Sequence, residues 1–156
     1  MSVEFGDTER GFYDVDAGTL AEAAEAISQM AEAAETEWFP RYEYETTGHV
    51  LSSATVDVRT RITLPRWTGY DAADEAEKGE WRRFCKALEA HEEGHVGLVI
   101  EHLSDVDEKL IGQSVAGAQR IWEQTLAELA SASAAYDRET DHGRKRGTVI
   151  GVGAGR

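Results

Sequence analysis

The sequence predicts an α+β fold in which helices cover one face of a small antiparallel or mixed sheet. Three observations predict it. Apolar residues alternate along several segments before Pro65, recur at three- and four-residue steps from about Glu80 onward, and do so once more after Thr19. The 156 residues suit one domain, placed over 1–143, followed by a basic, Gly-rich tail over 144–156. No internal repeat interrupts this order.

The elements follow in sequence. Phe12-Tyr13-Asp14-Val15 alternates and reads as a short strand. Thr19 and Glu22 have capping-box spacing, and the Ala/Glu-rich run to about Thr36 carries Leu20, Ala23, Ala24, Ile27, Met30, Ala31 and Ala34 along one stripe, which predicts an amphipathic helix. Trp38, Tyr42 and Tyr44 share one parity in a second strand, and Thr47-Gly48 marks a turn. From Thr55 to Leu64 the positions Val56, Val58, Ile62 and Leu64 alternate with polar residues, and Pro65 is expected to end that strand. Its edge is a candidate seat for an extended peptide by strand addition. Asp71 or Asp74 caps the next helix, with Gly79 a weak point in its first turns. Phe84, Leu88, His91, His95, Val99, Leu103, Val106 and Leu110 predict one helix from about Glu80 to Leu110, stopped by Gly112. Ser114 caps a last helix running to about Tyr136.

Composition narrows the functions. A hydrophobic share of 41% is too high for a disordered chain. Sixteen basic against 30 acidic residues leave a net charge of −14, so nucleic acid is a poor partner and a neutral, cationic or peptide substrate is expected. No run of about 18 apolar residues exists, which argues against a membrane span. Met1-Ser-Val-Glu-Phe lacks the pattern of a secretory leader; the expectation is a cytoplasmic protein, or a secreted one whose leader has been removed. The single cysteine, Cys85, excludes an internal disulfide and an all-cysteine metal site. It reads as a small core residue rather than a nucleophile.

One motif carries chemistry. His91-Glu92-Glu93-Gly94-His95 fits the H-E-x-x-H pattern. Residues four apart on a helix are neighbours, so both imidazoles can reach one zinc ion. Glu92 lies about 100° round the helix from His91, where its carboxylate can act as general base on a water whose pKa the ion lowers towards about 7. Two histidines and a carboxylate buried without a metal would each need another partner. Gly94 and Gly97 weaken this helix and leave room for close approach of another backbone or a substrate.

A catalytic zinc needs a third protein ligand. His102 sits about 10 Å further along a continuous helix, too far to share the ion; with Glu101 it reads as supporting or core. Leu98 and Glu101 exclude the metzincin pattern, which needs glycine and histidine there. His49, beside the turn, reads as solvated. Glu123 on the next helix and His142 after it both stay open, with His142 slightly preferred because a loop residue can fold back over the site.

The order of motifs resembles a bacterial family of predicted secreted zinc-dependent proteases, long catalogued as a domain of unknown function. Tyr13-Asp14-Val15, Trp38, Leu64-Pro65 with Trp67, Trp81, the His91–His95 motif and a closing Tyr136-Asp137-x-x-Thr140-x-His142-Gly143 occur in order over residues 12–143. The resemblance implies a zincin-like metallopeptidase fold, with His142 as third ligand beside His91 and His95, and Glu92 as base. It also implies orienting roles for Tyr136, Asp137 and Thr140: a hydrogen bond to an oxyanion from Tyr136, and a ligand imidazole held in its tautomer by Asp137. Relatives with a leader and paired cysteines differ from this chain on both counts.

The expected activity is therefore hydrolysis of a peptide or amide bond by zinc-activated water, with Glu92 as base. A zinc enzyme acting on a small metabolite by hydrolysis, lyase or cyclisation chemistry is the alternative. A non-catalytic, metal-stabilised binding module is the second. Trp67 and Tyr70 are cleft or core candidates, and the Arg144-Lys145-Arg146 run reads as a solvated tail. Substrate specificity and oligomeric state are not encoded in these patterns.

Overall fold

A computed structural model describes residues 2–144 and 147–151, and they adopt the expected α+β fold. The elements are β1 (Ser2–Phe5), β2 (Glu9–Val15), α1 (Leu20–Ser28), β3 (Glu35–Thr47), β4 (Val50–Trp67), a 3-10 turn (Tyr70–Ala72), α2 (Glu75–Leu103), α3 (Val106–Leu110) and α4 (Val115–Thr140). No helix among the described residues is long and apolar enough to cross a membrane.

These residues form two compact units. The first contains β1, Glu37–Thr60 and His95–Tyr136. Ser2–Phe5 pairs in parallel with Thr55–Val58, and β3 pairs β4. Only two residues separate β3 from β4, with Gly48 at φ 68°, a connection that can join antiparallel but not parallel neighbours. Leu51, Ala54, Val56 and Val58 form a core with Val99, Leu103, Val106, Leu110, Ala118, Trp122 and Leu129. Each fully buried aliphatic side chain contributes about 1.5–3 kcal/mol.

The second unit contains Glu9–Thr36, Arg61–Gly94 and the described residues from Asp137 on. Here β2 pairs in parallel with Arg61–Trp67. Thr19 caps α1, accepting from the Glu22 amide at 3.1 Å, as its spacing predicts. Asp74 caps α2 by accepting from the Glu77 amide at 2.8 Å. Trp67, Trp81 and Phe84 stack in sequence, with ring centroids 5.8 and 5.5 Å apart, and the Trp67 indole donates to Ala17 O. Trp67 is therefore a core residue.

Five expectations need correction. Helix α1 stops at Ser28 rather than near Thr36, because the stripe loses its buried face after Ala23: Met30 and Ala31 are exposed, and Ala34 is buried only just ahead of β3. The strand does not end at Pro65 but runs to Trp67. Thr68 donates its amide to Val15 O, so by alternation the missing N–H of Pro65 points away from β2 and no ladder bond is lost. That strand is also no open edge, since β1, β2 and β3 all pair with it. The long helix breaks at Ser104-Asp105, and α3 continues the apolar spacing as a separate turn. Finally, α4 extends to Thr140, so Tyr136, Asp137 and Thr140 are helical. Gly79 does not interrupt α2. Lys145 and Arg146 of the basic run, with residues 152–156 of the predicted tail, lie outside the described residues.

Candidate metal centre

One turn of α2 brings His91, Glu92 and His95 together, all buried, with one ligand atom from each within 4.8 Å of the others. The i, i+4 spacing explains the histidines, and burial follows from their place on the apolar stripe of the helix. Three polar groups there incur a large desolvation cost unless something compensates it.

Each is held by a side chain distant in sequence. His91 Nε2 lies 2.9 Å from Asp137 Oδ1. A carboxylate only accepts, so Nε2 carries the proton and Nδ1 carries the lone pair of the neutral ring. His95 Nδ1 lies 2.6 Å from Ser133 Oγ, and the Tyr136 ring meets His95 edge-on at 4.8 Å. Thr36 donates its hydroxyl to Glu92 Oε1 at 2.8 Å. Burial is the largest influence on Glu92 and pushes its carboxyl up to about 7, against the Thr36 hydrogen bond, which lowers it; Asp137, Glu32 and Glu35 push the same way as burial.

His142 stands elsewhere among the described residues. It belongs to a second group with Glu32 and Asp137, its Nδ1 3.8 Å from Glu32 and 4.0 Å from Asp137. The helix α4 ends there in a left-handed turn: Asp141 and His142 have φ of 50° and 55°, and the His142 amide reaches back to Asp137 O at 2.7 Å. Thr140 accepts from the Gly143 amide at 3.1 Å and so builds this turn. Gly143 follows at φ 86°, and a Cβ there would stand 2.9 Å from His91 Cγ. Only glycine lets this backbone pass the His91 ring. His91, Glu92, Asp137 and His142 line one cavity of about 380 Å³, walled by Ala and Ile side chains of α1.

Other candidates separate clearly. Glu123 is exposed and accepts from the Gln119 amide at 2.9 Å, outside both groups. His102 donates from Nδ1 to Leu98 O, one turn earlier. His49 is exposed in the hairpin turn. Tyr70 accepts from Arg82 at 2.6 Å. Burial, with Glu89 nearby, raises the Cys85 thiol to about 11. A Cβ on Gly97 would meet nothing within 4 Å, so no backbone approaches there. Thr36, Ser133 and Glu32 were not anticipated. Ser133 was within reach of a periodicity reading, four residues after Leu129 on α4; Thr36 and Glu32 carry no such signal.

The donor set fits a zinc-type ion: two imidazoles and a carboxylate, buried and clustered, with carboxylate and hydroxyl partners behind the rings. Residues 11–143 match the family described as "Bacterial protein of unknown function (DUF922)". The chain belongs to that family. The match starts just inside β2 and closes on Gly143, so it takes in every residue of both titratable groups. No curated protein and no solved structure matches the chain.

Proposed function

We propose that the chain is a zinc-dependent hydrolase of the zincin-like kind, acting on peptide or amide bonds. One observation carries this reading: His91, Glu92 and His95 are buried together on a single helical turn, with ligand atoms within 4.8 Å. His91 and His95 would hold the ion. His142 is preferred to Glu123 as the third ligand, because it lines the same cavity as His91 and Glu92 while Glu123 is engaged by Gln119. Bound zinc would supply a Lewis acid for a scissile carbonyl and a water of pKa about 7.

The chain's own groups do the rest. Thr36 fixes Glu92 through Oε1, which turns Oε2 to proton transfer: it takes a proton from the attacking water and returns it to the leaving amine. Asp137 holds the His91 ring in its Nε2-protonated tautomer. Tyr136, edge-on to His95, is the candidate donor to a developing oxyanion. The test is zinc content and cleavage of a mixed peptide library, read by mass spectrometry, for wild type and Glu92→Gln. The reading expects equal zinc and cleavage only by wild type; equal cleavage by both removes Glu92 as base.

The cavity volume of about 380 Å³ favours a second reading, hydrolysis of a small metabolite. Zinc-dependent turnover of small amides or esters with every peptide left intact would select it.

A further inference from the structure

The cavity beside the metal centre lies between two segments that run the same way. At one end the Leu20 amide, opening α1, donates to Glu77 Oε2 in the first turn of α2 at 3.0 Å. At the other end Thr36 donates to Glu92. The third wall is residues 148–150, held because Arg83 of α2 donates Nη1 to Gly147 O at 2.8 Å and Nη2 to Val149 O. Ala21, Ala24 and Ser28 recur at three- and four-residue steps, so they share one face of α1, and all three line the cavity. Leu20 and Ala23, which bury α1, do not line it.

Opposite that face stand Leu88 and Phe84 of α2, both buried. They precede His91 by three and seven residues, about 4.5 and 10 Å along the helix axis. An apolar space therefore leads away from His91 and Glu92. It stays open, at about 380 Å³ for the whole cavity, because Ala21 and Ala24 each present a single carbon to it. An apolar side chain entering it leaves water at no polar cost. An acidic one meets Glu25, Glu32 and Asp137, which line the same cavity. A basic one would carry its charge to Leu88 and Phe84, which offer no acceptor.

We propose that this cavity is the substrate's side-chain pocket: it selects a large apolar residue (leucine, methionine or phenylalanine) next to the scissile amide, and Ala24 sets its size. The scissile bond rests on the hydrolase reading above; the binding of an apolar side chain does not.

The test compares wild type with Ala24→Leu, both supplied with zinc, on the mixed peptide library. Leucine is nearly as good a helix former as alanine, and its added carbons enter open space. A single methylene in an apolar pocket is worth about 10–200-fold in discrimination. Wild type should cleave beside Leu, Met or Phe at least about tenfold faster than beside Gly, and Ala24→Leu should lose that preference at unchanged zinc content. No preference in wild type, a preference for charged residues, or one that survives Ala24→Leu overturns the proposal. A second arm needs no turnover: N-acetylphenylalaninamide and N-acetylglycinamide are titrated onto Glu92→Gln by ligand-observed NMR. The phenylalanine probe should bind at least about tenfold more tightly, and adding Ala24→Leu should remove the difference. If no form cleaves any peptide, the hydrolase reading falls and this arm alone decides the pocket; equal affinity for the two probes overturns it. Should Ala24→Leu fail to fold, Ala31→Leu carries both comparisons, because Ala31 lines the cavity yet is exposed.

Discussion

His91, Glu92 and His95 are buried, whereas Glu32 and His142 stand in solvent and Asp137 is half-buried between. Both groups combine imidazole with carboxylate, and both bring ligand atoms within 4.8 Å. Proximity therefore does not distinguish them; desolvation does. Exposed charges near one another are cheap, because water screens them and such pairs contribute about 0–1 kcal/mol. Buried ones persist only where partners or a ligand compensate the loss of water. The two groups meet at Asp137, whose Oδ1 takes His91 and whose Oδ2 faces His142.

The largest effect expected from this contrast is on turnover. Glu92→Gln keeps shape and the Thr36 contact but cannot move a proton, so hydrolysis should fall about 10²–10⁴-fold at unchanged zinc content. Glu32→Gln, in the exposed group, should leave it within about twofold. The burial rule also governs Cys85. With its thiol raised to about 11, alkylation by iodoacetamide at pH 8 should run about a hundredfold slower than for a free cysteine, and still be climbing at pH 10. A plateau by pH 9 would mean an ordinary, solvated thiol.

Asp137→Asn sharpens the comparison where the groups touch. Losing the carboxylate behind His91 should weaken zinc binding about 10–100-fold in a competitive chelator titration, while Glu32→Gln changes it little. Equal effects would make Glu32, and not His142 alone of the exposed group, a partner of the ion. The smallest effect lies on the exposed side of α2. Gly97→Ala meets open space and should stabilise the chain by about 0.5–1 kcal/mol in urea unfolding, at unchanged zinc affinity.

What the sequence made legible follows the range of the interactions. The His91–His95 pair is written in one helical turn, and the alternation of β4 matches its burial from Ala54 to Leu64. The break at Ser104-Asp105 was hidden because Leu103, Val106 and Leu110, all fully buried, keep helical spacing across it. The end of α1 was hidden because an Ala/Glu run has helix propensity whether or not a surface awaits its stripe. Pro65 misled because ladder parity, not residue type, decides whether a missing N–H matters. Thr36 and Ser133 reach Glu92 and His95 across 56 and 38 residues, beyond any local pattern. The same distance concealed the Arg83 contacts to Gly147 and Val149.

The central claim is that buried imidazoles on α2 grip one divalent cation. Zinc per chain, measured by elemental analysis after equilibrium dialysis, tests it for wild type beside the His91→Ala/His95→Ala double variant. The account predicts about one equivalent for wild type and none for the variant. A wild type without zinc, or a variant that keeps its full equivalent on the exposed Glu32, Asp137 and His142, would contradict it.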